Sequence, residues 1–159
     1  MQWLREEALQ ATGSLLDNDA HYAACAPLVL TASNGQPDEG VAFLAAARQG
    51  GATWNYGTPG VGTVAHLGME LLKARAGLAA VHVPYPGNPQ VINGMLGGQT
   101  HMALLPPGMA MPQVRAGKLR AIGITSSGRS SLVPDVPSLA EAVKLETERR
   151  MAERYPDPR

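Results

Sequence analysis

The run Asn55-Tyr-Gly-Thr-Pro-Gly-Val-Gly-Thr63 sets three glycines and two threonine hydroxyls immediately before an amphipathic stretch, Val64 to Ala76. That order reads as strand, glycine-rich turn, helix, and such a turn presents backbone N–H groups to an anion. The first four amides of a helix have no internal partner, and the helix dipole adds roughly half a positive charge at that end, so a carboxylate or phosphate is a natural guest. The spacing excludes the common nucleotide loops. A Gly-x4-Gly-Lys-[Ser/Thr] loop needs a lysine beside its last glycine, and the first lysine after these glycines is Lys73. Gly57, Gly60 and Gly62 also miss the Gly-x-Gly-x-x-Gly pattern.

Other constellations carry less. His21, His66, His82 and His101 are too scattered for a metal site, and His66, early in its helix, reads as a capping or packing residue. No Gly-x-Ser-x-Gly elbow exists, so a serine hydrolase has no nucleophile here. Cys25 sits in an apolar run and reads as a buried, inert thiol. Met109 and Met111, among prolines, fill core gaps or line an apolar contact surface. The expectation is of a protein that is not an enzyme, with no catalytic residue, no cofactor and no metal.

The elements that must position the turn follow from periodicity. Pro27 to Ala32, Thr53 to Tyr56, Ala79 to Val83, Thr100 to Leu105 and Leu119 to Thr125 read as strands. Between them Gly40 to Arg48, Val64 to Ala76, Pro89 to Leu96 and Met111 to Ala116 read as helices, the second with Val64, Leu67 and Leu71 on one face. Alternating βαβα implies an α/β fold, a mainly parallel sheet flanked by helices, with ligands at the carboxyl ends of the strands.

Charge is uneven although the 159-residue chain is neutral overall. Between Gly40 and Pro134 seven bases face one acid, Glu70, a balance of +6 that favours small anions. The bases are dispersed, without the clusters and interleaved aromatics of a nucleic-acid surface, so no nucleic-acid partner is expected. Ten of the 26 charged residues lie from Glu141 onward, where Glu146 and Arg150 stand four apart as an exposed helix favours. The expected organisation is an N-terminal helical extension over 1–22, an α/β lobe over 23–142 and a charged helical tail over 143–159. Acids near Met1 stand where an export signal would be basic and then apolar, which predicts a cytoplasmic chain if this is the complete product.

In this order the motifs resemble a known family. Asn55 to Thr63 with His66-Leu67, then Val81-His-Val-Pro-Tyr85 with Gly87, Leu96-Gly-Gly-Gln99, Pro112 to Arg120, Ala121-Ile-Gly-Ile-Thr-Ser126 and Val133 to Ala142 are similar to the tripartite tricarboxylate transporter substrate-binding proteins, the Bug family. The resemblance spans about residues 23 to 142. It implies one lobe, the second, of a type II periplasmic-binding-protein fold whose two lobes close over a small carboxylate. It also implies a periplasmic location and a membrane transporter as partner. Carried over residue by residue, it implies ligand contacts at Tyr56, Thr58, Gly60, Val61, Gly62 and Thr63, with Tyr85, Gly87 and Asn88 as a second rim. Thr58 and Thr63 would donate hydroxyl hydrogen bonds, and the Gly62 and Thr63 amides would face the carboxylate. The sequence departs from the family at Pro86, Gly94 and His101. A lobe alone also leaves a cleft face open, which predicts either a weak half-receptor or a homodimeric interaction domain.

Overall fold

The computed structural model describes residues 28–37 and 39–155; the expected N-terminal extension, Cys25 and His21 lie outside them. Five strands form a single sheet: β1 (Val29–Ser33), β2 (Asn55–Thr58), β3 (Val81–Pro84), β4 (Met102–Leu105) and β5 (Leu119–Ile124). Their order across the sheet is β3-β2-β4-β1-β5. β2 pairs in parallel with both β3 and β4, whereas β1 runs antiparallel to β4 and β5. Four strands therefore share one direction, and β1, inserted between two of them, is reversed. The sheet is mixed around a parallel majority.

The helices are α1 (Gly40–Gly50), α2 (Val64–Ala76), α3 (Asn88–Leu96), α4 (Pro107–Arg115) and α5 (Leu139–Arg154). Their side chains divide the core in two. Phe43, Leu44, Met69, Leu72 and Leu139 of α1, α2 and α5 meet Leu30, Tyr56, Met102 and Leu104 on one face of the sheet. Val91, Met95 and Ala110 of α3 and α4 meet Val29, Ala103, Leu105 and Ile124 on the other. Burial on both faces is why β4 reads as a continuous apolar run and why β1 is buried along its whole length. In β5 the register slips by one residue opposite Leu30 and Thr31, a bulge that sends Ile122 to the first face and Ile124 to the second.

Two expectations are corrected here. Val64, Leu67 and Leu71 do share a face of α2, but it is the outer one, 48%, 56% and 39% exposed. The inner face is Ala65, Met69, Leu72 and Ala76, and a Cβ at Gly68 would stand 2.8 Å from Leu104 Cδ1. The helix meets the sheet too closely for a side chain at position 68, while Met69 and Leu72 fill the core beside it. The second correction concerns α5, whose Glu146 is buried rather than exposed and pairs with Arg48 of α1 and Arg149, not with Arg150. Arg149 closes a fork on it, Nε to Oε2 at 2.9 Å and Nη2 to Oε1 at 3.0 Å. Burial pushes the Glu146 carboxyl up, but the hydrogen bonds from Arg149 and Arg48 outweigh it and hold it below the ordinary value of 4.5.

A carboxyl depressed in the folded state contributes stability above its unfolded value and loses it as pH falls through the folded one. Glu146→Ala is expected to cost about 3 kcal/mol in urea unfolding at neutral pH, the low end for breaking a buried pair because both arginines keep some hydration. Acid unfolding of the wild type should steepen below about pH 5, and Glu146→Gln should flatten that slope.

Candidate functional site

Because β2, β3 and β4 run together, their carboxyl ends lie on one edge of the sheet. The chain leaves β2 through residues 59–63, enters α2 on one face, returns through β3, and crosses back by α3 on the other face to reach β4. Right-handed crossovers in opposite directions require helices on opposite faces. The starts of α2 and α3 therefore flank the end of β2, the place where open α/β sheets hold ligands.

The glycine turn is held by its own side chains. Thr58, buried at the end of β2, accepts from the Gly60 N–H at 3.2 Å, and its Oγ1 stands 2.6 Å from His82 Nε2. Thr63 caps α2: its Oγ1 accepts from the His66 N–H at 3.3 Å and donates to the Gly60 carbonyl at 2.8 Å. Gly60 and Gly62 have φ of 144° and 80°, in the region that favours glycine. Val61 is the exposed tip. The turn's hydroxyls are thus engaged within it, and the Gly62 N–H donates to His66 Nδ1 at 3.0 Å. Helical geometry leaves the Val64 and Ala65 amides as the open donors of this first turn.

Tyr56 lies beneath the turn, buried, its hydroxyl donating to Glu70, which also takes Lys73 Nζ at 2.9 Å. Burial first, then the hydrogen bond and charge of Glu70, push the Tyr56 phenol far above its usual range. The bond from Tyr56, then that from Lys73, holds Glu70 below the usual carboxylate range. The Tyr56 ring stacks on His82 at 5.1 Å, and His82 on His66 at 4.1 Å. Burial and then the charge of His66 lower the pKa of His82. Among the described residues no three His, Cys, Asp or Glu side chains group as a metal site.

The second rim is joined to the first, since the Tyr85 N–H donates to the Thr58 carbonyl at 2.8 Å. Gly87 caps α3 without a side chain, and Pro89 takes the second helical position, leaving the Asn88 and Gln90 amides open. The Tyr85 ring fits between β2 and α3, where a Cβ at Gly94 would fall 2.4 Å from its Oη. All nine residues expected at the site thus gather at one edge, seven around the opening and the buried Tyr56 and Thr58 below. Sequence reading missed Gln90 and the start of α4, where Pro107 at the first helical position brings the Gly108 amide to the same edge. Proline at that position is the signal. A separate cavity of about 350 Å³, lined by Met111, Val114, Ala121, Leu132, Val133 and Val136, contains none of the nine.

A three-layer lobe with helix starts converging on one strand edge is the architecture of one lobe of a periplasmic binding protein, and solved structures agree. An R. palustris protein solved with adipate superimposes with a TM-score of 0.70 at 26% identity, over 74% of this chain and 40% of that one. MatC from Rhodopseudomonas palustris, solved with bound malate, gives 0.68 at 27% identity over the same shares. The family model for the tripartite tricarboxylate transporter family receptor matches residues 16–151. The chain belongs to that family. A UPF0065 protein of Bordetella pertussis is 36% identical over 87 residues, 55% of this chain and 27% of its own length. One of Pseudomonas sp. is 34% identical over 103 residues, 65% and 31% respectively. The chain thus spans about a third or less of these curated relatives. Among the described residues no helix is long and apolar enough to cross a membrane.

Thr63→Ala removes the cap and the tie to Gly60, and is expected to cost about 1 kcal/mol in thermal unfolding with faster amide exchange through residues 60–66. Gly94→Ala must displace the Tyr85 ring, at about 1–2 kcal/mol, with the Tyr85 ring resonances moving more than those of Tyr56.

Proposed function

We propose that the chain is the small-carboxylate-binding half of a solute receptor and that it binds without catalysis. The observation that carries this reading is the pair of helix starts on either side of β2, with the Val64, Ala65, Asn88 and Gln90 amides open toward one edge. Oriented amides and helix dipoles suit a carboxylate, and no base from the cationic middle of the chain falls within residues 58–63 or 85–88. The likeness to adipate- and malate-bound proteins supports the same ligand class. Tyr56 and Thr58 then serve beneath the turn, with Gly60, Val61, Gly62, Thr63, Tyr85, Gly87 and Asn88 around the ligand. The family's transporter would be the partner of the complete receptor, and the periplasm its location.

One lobe leaves the ligand half solvated, so affinity is expected near a millimolar Kd, about −4 kcal/mol. Calorimetric titration with adipate and malate tests this; no heat at tens of millimolar ligand would sink the reading. A second reading, a homodimeric interaction domain, is favoured by the exposed Val61, Val64, Leu67 and Leu71 on the turn and α2. Sedimentation should then show a dimer that Leu67→Glu dissociates, and a concentration-independent monomer would exclude it.

A further inference from the structure

The turn is wired to a pair of histidines whose arrangement gives carboxylate binding a proton dependence. His66 Nδ1 accepts the Gly62 N–H at 3.0 Å, so that nitrogen carries no proton in this geometry. The His66 ring lies flat on His82, 4.1 Å between centroids and 11° between planes. His82 is itself engaged by Thr58 Oγ1 at 2.6 Å, and Thr58 holds Gly60. Both ends of the turn therefore rest on the stack.

The two hydrogen bonds respond differently to a proton. The Thr58 hydroxyl both donates and accepts, so it can face His82 in either state of that ring. A backbone N–H only donates, so a proton on His66 Nδ1 must break the bond to Gly62. The groups that face the stack are Tyr56 from β2, His82 from β3, and Glu70 and Lys73 from α2 itself. The segment of β4 that packs against α2, Met102–Leu105, carries no charge. From α5, Arg150 approaches Gly77, just past the other end of α2. Glu70 and Lys73 are paired with each other at 2.9 Å.

We infer that carboxylate binding at the glycine turn is coupled to proton uptake by His66, which releases the Gly62 amide to the ligand and sets a cation beside it. This rests on the carboxylate-binding reading above. Both consequences act in one direction: an amide held at high pH becomes a donor beside those of Val64 and Ala65, and the new charge attracts the same anion. By reciprocity, a bound carboxylate favours the protonated ring. His82, its pKa lowered by burial, stays neutral and keeps its hold on Thr58. A receptor lobe built this way would take its anion together with a proton.

The test is calorimetry of malate binding to the whole chain at about pH 6 and pH 8, in two buffers of different ionisation enthalpy, beside an amide-resonance titration of the free chain. The expected result is about fivefold tighter binding at the lower pH, net proton uptake, and a Gly62 amide shift that follows the His66 imidazole. His66→Asn, whose side-chain oxygen can retain the Gly62 bond at either pH, should lose the dependence and keep the weaker affinity. Equal affinity at both pH values, or a dependence that survives in His66→Asn, overturns the inference and leaves the carboxylate reading standing. A Gly62 amide indifferent to pH overturns it without any variant. Absence of malate binding at both pH values overturns both.

Discussion

Parallel pairing of β2 with both of its neighbours is the constraint from which the site follows. Three strands that run together deliver the chain to one edge, and each connection must then return over a face of the sheet. The path goes outward to β3 and back to β4, which puts α2 and α3 on opposite faces with their starts beside the end of β2. The open donors at that edge are therefore backbone amides fixed by strand pairing. Side-chain charge is used elsewhere: Arg48 is paired with Glu146 and Lys73 with Glu70.

Below that edge the support is polar and layered. Tyr56 is among the largest buried side chains, and its hydroxyl reaches Glu70 near the surface of α2. Its ring begins a column through His82 to His66 that ends at Gly62. The turn is thus connected to the core through rings and hydroxyls, not through apolar contacts alone. On the same face α5 is anchored by Glu146, a charged residue that water does not reach.

Much of the edge was legible in the sequence because local rules and tertiary structure agree there. Glycines at 60 and 62 are required by backbone angles, Thr63 is a capping residue, and α2 has the expected bounds. The direction of β1 was not legible, since an apolar run buried on both faces carries no sign of which way it pairs. The start of α4 was hidden because Pro107 read as part of the end of the preceding strand, whereas it occupies the tolerated opening position of the helix. The inner face of α2 was not legible because Val64, Leu67 and Leu71 outweigh Ala65, Gly68 and Ala76 in a hydrophobic pattern, while position 68 meets Leu104 too closely for any side chain. Glu146 looked solvated because its partner Arg48 is 98 residues away in sequence. The Gly62 amide looked open because nothing in the spacing of Gly62 and His66 shows that the ring turns back to accept it.

In the proposed function, backbone amides at the α2 and α3 starts hold the carboxylate. Mapping amide-resonance changes during a malate titration tests this most directly. The largest changes should fall on Val64, Ala65, Asn88 and Gln90. Changes confined to Leu132–Val136 around the separate cavity, or none at saturating malate, would contradict it.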